Sequence, residues 1–321
     1  MKIDLNAIDF SILLFTSGTT GKPVGAFKTK QNLEDDIQAL IKVLKKYKPK
    51  KVISTVPFVH IYGVLTSILL PYKLDIDLFF KKHFLPHDLL EAIEPNSLVV
   101  TTPLYIKSLL RVKETKDLKD VLFISSTAPL DAKSASDFIK KFNTNLIQLF
   151  GSTETGSISY KEQNETLWRP FEDVCISVNE ENLLKVSSPF VSEILYEDGL
   201  KRTGGVIQSF DYVRLSEEGF TIIGRNSQIF KVAGKRFSSL HVEAILEGMH
   251  GVKKALVLVK YNKDALKDES LEIYLQSSEQ IGLKEVKEVL KEELGSTKLP
   301  ITLKIVTKIP TTALGKKVVP L

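Results

Sequence analysis

A single cysteine, Cys175, occurs in the 321 residues. One thiol excludes an internal disulfide and any metal cluster built on several cysteines. No apolar run approaches the ~20 residues that a membrane-spanning helix needs, and the opening Met1-Lys2-Ile3-Asp4 carries no signal-peptide pattern. The expectation is a cytoplasmic protein that does not engage a membrane. Neither sign of charge dominates, since 44 basic residues stand against 39 acidic ones for a net charge of +5. The densest basic stretch, Lys42 to Lys51 with six lysines, reads as the solvated end of a helix, where lysines favour the dipole. No basic and aromatic interleaving accompanies it, so nucleic acid is not an expected partner. With 43% hydrophobic and 26% charged residues the composition is that of an ordinary globular chain. Its length exceeds what one compact core usually requires, and two domains are expected.

What is present is concentrated chemistry. Phe15-Thr16-Ser17-Gly18-Thr19-Thr20-Gly21-Lys22-Pro23 packs hydroxyls, two glycines and a lysine between an apolar run, Ile12 to Phe15, and a helical segment opening near Asn32. Glycines let backbone amides approach an anion, hydroxyls donate to phosphate oxygens, and the lysine adds positive charge. The run before it reads as the end of a buried strand. The loop is not the P-loop of nucleoside triphosphatases, which needs four residues between its glycines and a Ser or Thr after the lysine. Here Gly18 and Gly21 are closer together and Pro23 follows Lys22.

Downstream, Leu33, Ile37, Leu40, Ile41 and Leu44 recur at helical spacing between Asn32 and Tyr47. Short apolar runs then alternate with helical segments. Strands are expected at 51–56, 98–102, 121–125 and 145–150, and helices at 103–111 and 132–142. Such alternation argues for parallel strands joined by crossovers, with ligands beyond their carboxyl ends. Residues 166–201 read as short strands and turns. A helix at 241–248, strands at 255–259 and 271–276, a helix at 283–294 and a strand at 301–306 form a small α+β module.

Ser17-Gly18-Thr19-Thr20-Gly21-Lys22-Pro23 resembles the signature of the adenylate-forming superfamily, which contains acyl-CoA synthetases, acyl-carrier-protein ligases and adenylation domains. Further elements follow in the family's order. Pro57-Phe58-Val59-His60-Ile61-Tyr62-Gly63 resembles the Pro-x-x-His-x-x-Gly element beside the acyl site. Ser126-Thr127-Ala128-Pro129-Leu130 resembles a Gly-Gly-Ala-Pro-Leu turn beside adenine, and Phe150-Gly151-Ser152-Thr153-Glu154 the Tyr-Gly-x-Thr-Glu motif. Ile223-Gly224-Arg225 stands where the family has a Gly-Arg before its hinge, and Pro310-Thr311-Thr312-Ala313-Leu314-Gly315-Lys316 resembles its C-terminal Pro-x-Thr-x-x-Gly-Lys.

The resemblance implies an α/β fold, with a mostly parallel nucleotide-binding domain and a β-rich part at 1–225 and a small mobile α+β lid at 226–321. It implies ATP and Mg²⁺ as cofactors. Thr16, Ser17, Gly18, Thr19, Thr20, Gly21, Lys22, Ser126, Ala128, Phe150, Gly151 and Ser152 would contact nucleotide, with Asp211 on the ribose and Arg225 and Lys231 assisting. Thr153 and Lys316 would act in catalysis. Glu154 would hold the metal, which suits a hard dication that takes a carboxylate beside phosphate oxygens. His60, Tyr62 and Gly63 would lie against the acid, with Ser126, Phe150 and Ser157 as further pocket candidates. The implied activity is conversion of a small carboxylic acid to its acyl adenylate and transfer to coenzyme A or a phosphopantetheinylated carrier protein.

Departures are also visible. Gly205 stands where the family's Thr-Gly-Asp motif has its carboxylate, so the ribose role falls to Asp211, spaced from Gly219 as family members space it. Val24 replaces a common lysine, and Ser227 the hinge Asp or Lys. Only eleven residues precede the strand before the loop, where typical members carry a further subdomain. Two other readings therefore stand beside the ligase: a non-catalytic nucleotide-binding relative, and half of a split ligase completed by a partner subunit.

Overall fold

The computed structural model describes residues 8–16, 23–81, 83–225, 229–232, 235–261, 269–294, 300–311 and 317–320. The chain divides into two compact units, one of Met1–Glu180, Leu184–Ser209 and Leu215–Thr221, the other of Glu181–Leu183, Phe210–Arg214 and Ile222–Leu321.

In the first unit, β1 (Ile12–Thr16) and β2 (Val24–Lys28) form an antiparallel pair. The expectation of a buried strand before the loop needs correction. Leu14 is buried but Phe15 is 54% exposed, because β1 lies at the edge of a small four-stranded sheet and presents one face to solvent. Helix α1 (Lys30–Leu44) begins two residues ahead of the expected start. Thr29 caps it, accepting from Asn32 N at 3.0 Å while Asn32 Oδ1 accepts from Thr29 N at 3.1 Å, so two orphan amides are satisfied reciprocally.

A seven-stranded sheet follows. Its strands are β3 (Lys51–Ser54), β4 (Asp77–Phe80), β5 (Ser97–Thr101), β6 (Leu122–Ser125), β7 (Asn145–Ser152), β8 (Gly156–Glu162) and β9 (Arg169–Pro170), in the order β4-β3-β5-β6-β7-β8-β9. From β4 to β7 the pairings are parallel; β8 and β9 add antiparallel. Every residue of β5 and β6 is buried, as befits parallel strands covered on both faces. Helices α2 (Ile61–Val64) and α3 (Leu70–Leu74) flank a wider π turn at Leu65–Leu69 and lead to β4; α4 (Pro86–Ala92) leads to β5. Helices α5 (Pro103–Arg111) and α6 (Ala132–Phe142) make the crossovers, and Ile106, Leu109, Phe138 and Phe142 pack with Val99 and Phe123 into one core. The Lys141 ammonium reaches the Leu109, Leu110 and Val112 carbonyls and so satisfies the end of α5. Strand β4 escapes a reading of alternation because all four of its residues are exposed at the sheet edge.

The chain runs outward from β3 to β4 and then returns to the other side of β3 with β5. That reversal is a topological switch point, and sheets of this kind take ligands beyond the carboxyl ends of the strands on either side of it, here β3 and β5.

Short strands continue with β10 (Cys175–Val178) paired antiparallel to β11 (Leu183–Ser187), then β12 (Ile194–Tyr196) and β13 (Leu200–Arg202), which extend the β1-β2 sheet. Strands β14 (Val206–Ser216) and β15 (Gly219–Arg225) follow. In the second unit, β16 (Ile229–Val232) pairs with β17 (Lys235–Ser238). Helix α7 (Ser239–Glu247), β18 (Val252–Tyr261), β19 (Glu269–Ser277), α8 (Leu283–Leu294) and β20 (Ile301–Val306) complete the α+β arrangement, with sheet order β18-β19-β20. Its core joins Val242 and Leu246 of α7 to Ala255, Val257, Ile273 and Leu275 of the sheet. Among the described residues no helix is long and apolar enough to cross a membrane.

Asp131 caps α6 through Ser134 N at 2.7 Å and pairs with Lys107 at 2.8 Å. Partial burial pushes its carboxyl up, but Lys107 and the Ser134 N–H and hydroxyl outweigh that and bring it down to about 2. A carboxyl lowered on folding contributes stability above its unfolded pKa and loses it as pH falls through the folded value. Asp131→Ala is expected to cost about 1 kcal/mol at pH 7. In urea unfolding the gap to wild type should close as pH falls from about 4 towards 2; a gap independent of pH would contradict the role of the charge.

Candidate functional site

The loops that follow the parallel strands meet at the carboxyl edge of the large sheet, where Ser54 registers with Val100, Thr101 with Ser125, and Ser125 with Gln148. After β3 the chain turns through Pro57 and enters α2, with His60 as its extended N-cap residue. A Cβ on Gly63 would stand 2.2 Å from Pro57 O, so glycine is required for α2 to pass back over the turn. The buried Tyr62 hydroxyl bonds to Thr101 O at 3.0 Å and Ile124 O at 2.9 Å, and burial drives its pKa upward. Tyr62 and Gly63 thus tie the carboxyl ends of β3, β5 and β6 together, tasks that need no ligand. His60 is half-buried.

After β6, Ser126 Oγ donates to Leu149 O at 2.9 Å. Thr127 adopts φ +81°, which is unfavourable for a β-branched side chain. It stands where the resembled turn has glycine. Its Oγ1 and Ser125 Oγ are buried without a hydrogen-bond partner among the described residues. Strain and orphaned hydroxyls at a sheet's carboxyl edge are features that functional sites retain. Ala128 follows, half-buried.

The turn from β7 into β8 carries Phe150 to Glu154. Phe150 packs on Trp168 and Phe220, with ring centroids 5.6 and 6.1 Å away, and Lys161 lies 4.9 Å over the Trp168 ring. Gly151 leaves no room for a side chain, since a Cβ would meet Gly156 O at 2.3 Å. Ser152 and Thr155 close the turn on each other through mutual backbone and hydroxyl bonds of 3.0 to 3.1 Å. Glu154 is thereby held at the tip, with Thr153 beside it.

Glu154 then meets β1. Thr16 Oγ1, the last described atom group before the glycine-rich loop, donates to Glu154 Oε1 at 3.1 Å. Two motifs 138 positions apart are joined by this bond. The Glu154 carbonyl accepts from Ser192 N at 2.9 Å and from Lys28 Nζ at 3.2 Å; Lys28 also donates to Phe190 O at 2.6 Å. Burial pulls Lys28 down to about 8 against the raising influence of Asp36 and Glu154. Asp36 on α1 accepts from Ser157 N at 3.1 Å, and burial raises its carboxyl. Neither Lys28, Asp36 nor Thr127 was singled out from sequence. A lysine ending an otherwise apolar strand is the one visible signal for the first.

Ser17, Gly18, Thr19, Thr20, Gly21, Lys22 and Lys316 lie outside the described residues, as do the side chains of Arg225 and Lys231. Asp211 is buried in β14 and belongs to the second unit. Among the described residues no cluster of three or more His, Cys, Asp or Glu is poised to cage a metal. The donor set is one carboxylate beside hydroxyls. That suits a magnesium ion, which binds through one or two carboxylates while phosphate oxygens and water supply the rest.

Residues 2–180 match the family model described as AMP-binding enzyme, and the chain belongs to that family. It is 27% identical over 245 residues to a 4-coumarate–CoA ligase of Cereibacter sphaeroides, covering 75% of this chain and 55% of that one. It is 25% identical over 327 residues to a 2-succinylbenzoate–CoA ligase of Listeria monocytogenes, covering 95% and 68%. Among solved structures, ATP-bound MatB from Rhodopseudomonas palustris superposes with a TM-score of 0.83 at 20% identity, over 95% of this chain and 66% of that one. O-succinylbenzoate coenzyme A synthetase of Bacillus subtilis, in complex with ATP and magnesium ion, gives 0.79 at 19%, over 95% and 68%. These likenesses establish the α/β fold. The chain spans about half to two thirds of the length of the curated relatives it matches.

Gly151→Ala forces the Cβ into Gly156 O and should cost roughly 1–3 kcal/mol. Urea unfolding followed by circular dichroism checks this; an unchanged midpoint would mean the turn has slack.

Proposed function

We propose that this chain activates a carboxylic acid with ATP as its acyl adenylate and passes the acyl group to a thiol, coenzyme A or a carrier-bound phosphopantetheine. The observation that carries the reading is the Thr16–Glu154 bond, which sets the start of the phosphate loop against the metal-binding carboxylate. Support also comes from the family match and from CoA ligases among the relatives. A substrate carboxylate oxygen attacks the α-phosphorus, the bond to the bridging oxygen breaks, and pyrophosphate leaves. The thiol sulfur then forms a bond to the activated carbonyl carbon, and AMP departs. Both partners of the first step are anions, so the central problem is charge repulsion. Magnesium, when bound at Glu154, neutralises phosphate charge. The loop of Ser17 to Lys22 donates to the phosphates, Thr153 steadies them, and Asp211 accepts from the ribose hydroxyls. Arg225 and Lys231 assist around the nucleotide. His60 lies against the acid, and Lys316, from a lid at 226–321, bridges carboxylate and α-phosphate. The protein works in the cytoplasm.

A second reading has a specific observation behind it. At the edge strand β4, Leu78, Phe79 and Phe80 are exposed; Phe80 packs on Phe58 and Phe79 on Phe84, and the residues that follow those two partners, Val59 and Leu85, are 68% and 65% exposed. Apolar side chains clustered in this way suit a covering partner. With the chain spanning only part of its relatives, a partner segment that completes the acid pocket is the alternative.

ATP–pyrophosphate exchange against fatty, aromatic and dicarboxylic acids decides between them. Exchange with one acid class, reduced about 100- to 1000-fold by Lys316→Ala, is expected, on the scale of one lost electrostatic donor. ATP binding without exchange for any acid would overturn catalysis by this chain alone.

A further inference from the structure

Lys28 closes β2, on the opposite side of the phosphate loop from Thr16, and is 1% exposed, among the largest fully buried side chains. A buried ammonium is costly unless paired and hydrogen-bonded. Here it reaches the carbonyls of Phe190 at 2.6 Å and Glu154 at 3.2 Å, with Asp36 and the Glu154 carboxylate supplying opposite charge. Asp36, 2% exposed, accepts from Ser157 N at 3.1 Å, and its Oδ2 lies 2.5 Å from where a Cβ on Gly156 would be. The two charges therefore grip the turn at both ends, the ammonium on the Glu154 carbonyl and the carboxylate on the N–H just past Gly156. Glu154 is also held at its side chain by Thr16. Backbone and side chain of one residue are fixed from the two strands that flank the loop.

We propose that Lys28 is a positioning residue that fixes the Glu154 backbone so that its carboxylate meets a divalent cation bound with ATP. The proposal rests on the reading of Glu154 as the magnesium ligand. An apolar residue at position 28 would fill a buried strand equally well; the ammonium is informative because it selects the carbonyl of the ligand residue itself. Groups behind a metal ligand typically govern metal affinity by about 10- to 100-fold.

The test is isothermal titration calorimetry of ATP across a magnesium chloride series, for wild type, Lys28→Met, the apolar pair Lys28→Met with Asp36→Leu, and Glu154→Gln. Lys28→Met should need about tenfold more magnesium to reach half of its gain in ATP affinity, with magnesium-free ATP binding unchanged. A folded Lys28→Met with wild-type magnesium dependence overturns the proposal. Should that variant fail to fold, the apolar pair, which leaves no uncompensated buried charge, carries the same expectation and the same contrary result. Glu154→Gln separates the two levels. If it shifts the magnesium dependence while the Lys28 variants do not, the positioning role alone fails; if it shifts nothing, the metal reading fails and takes the proposal with it.

Discussion

Everything in the candidate site depends on how Glu154 is held. A glutamate at the tip of a turn is ordinarily free to swing through several rotamers. Here Thr16 bonds the carboxylate at 3.1 Å, and Ser192 N and Lys28 Nζ share its carbonyl. Fixing such a group in advance removes ordering entropy from ligand binding and from any transition state in which phosphate charge is moved. The cost is a buried ammonium and a buried carboxylate, offset by the Phe190 and Glu154 carbonyls on Lys28 and by the Ser157 N–H on Asp36, while Asp36 Oδ1 stays buried without a hydrogen-bond partner among the described residues.

The large sheet provides the platform. Strands β5 and β6 are buried throughout, so their carboxyl ends cannot shift without disturbing a packed core. Tyr62 spans two of those ends, and Gly63 and Gly151 permit close passages of backbone that any side chain would block. Rigid strands with irregular loops at one edge are the arrangement in which α/β proteins place ligands.

Much of this was legible in the sequence. Strands β3, β5, β6 and β7 are apolar runs that burial on both faces makes continuous, and helices α5 and α6 bury one face through Ile106 and Leu109 and through Ala135, Phe138 and Phe142. Phe150, Gly151, Ser152 and Glu154 fall into one turn, and Thr16 meets it. Other features could not be read because they depend on tertiary packing. Strand β4 is exposed at an edge and shows no alternation. Phe15 faces solvent because β1 belongs to a small sheet, not to the parallel core. Lys28 looks like a solvated strand end until the Phe190 and Glu154 carbonyls are seen around it. Thr127 takes a left-handed conformation that its residue type disfavours, so propensity argues against the observed turn.

The central claim is that the glycine-rich loop and the Glu154 turn together hold a nucleotide and its metal. The most direct measurement is a crystal structure of the chain with ATP and magnesium. The account predicts metal density against the Glu154 carboxylate, with the nucleotide over the carboxyl ends of β5, β6 and β7. A nucleotide bound elsewhere, or one whose metal leaves Glu154 untouched, would contradict it.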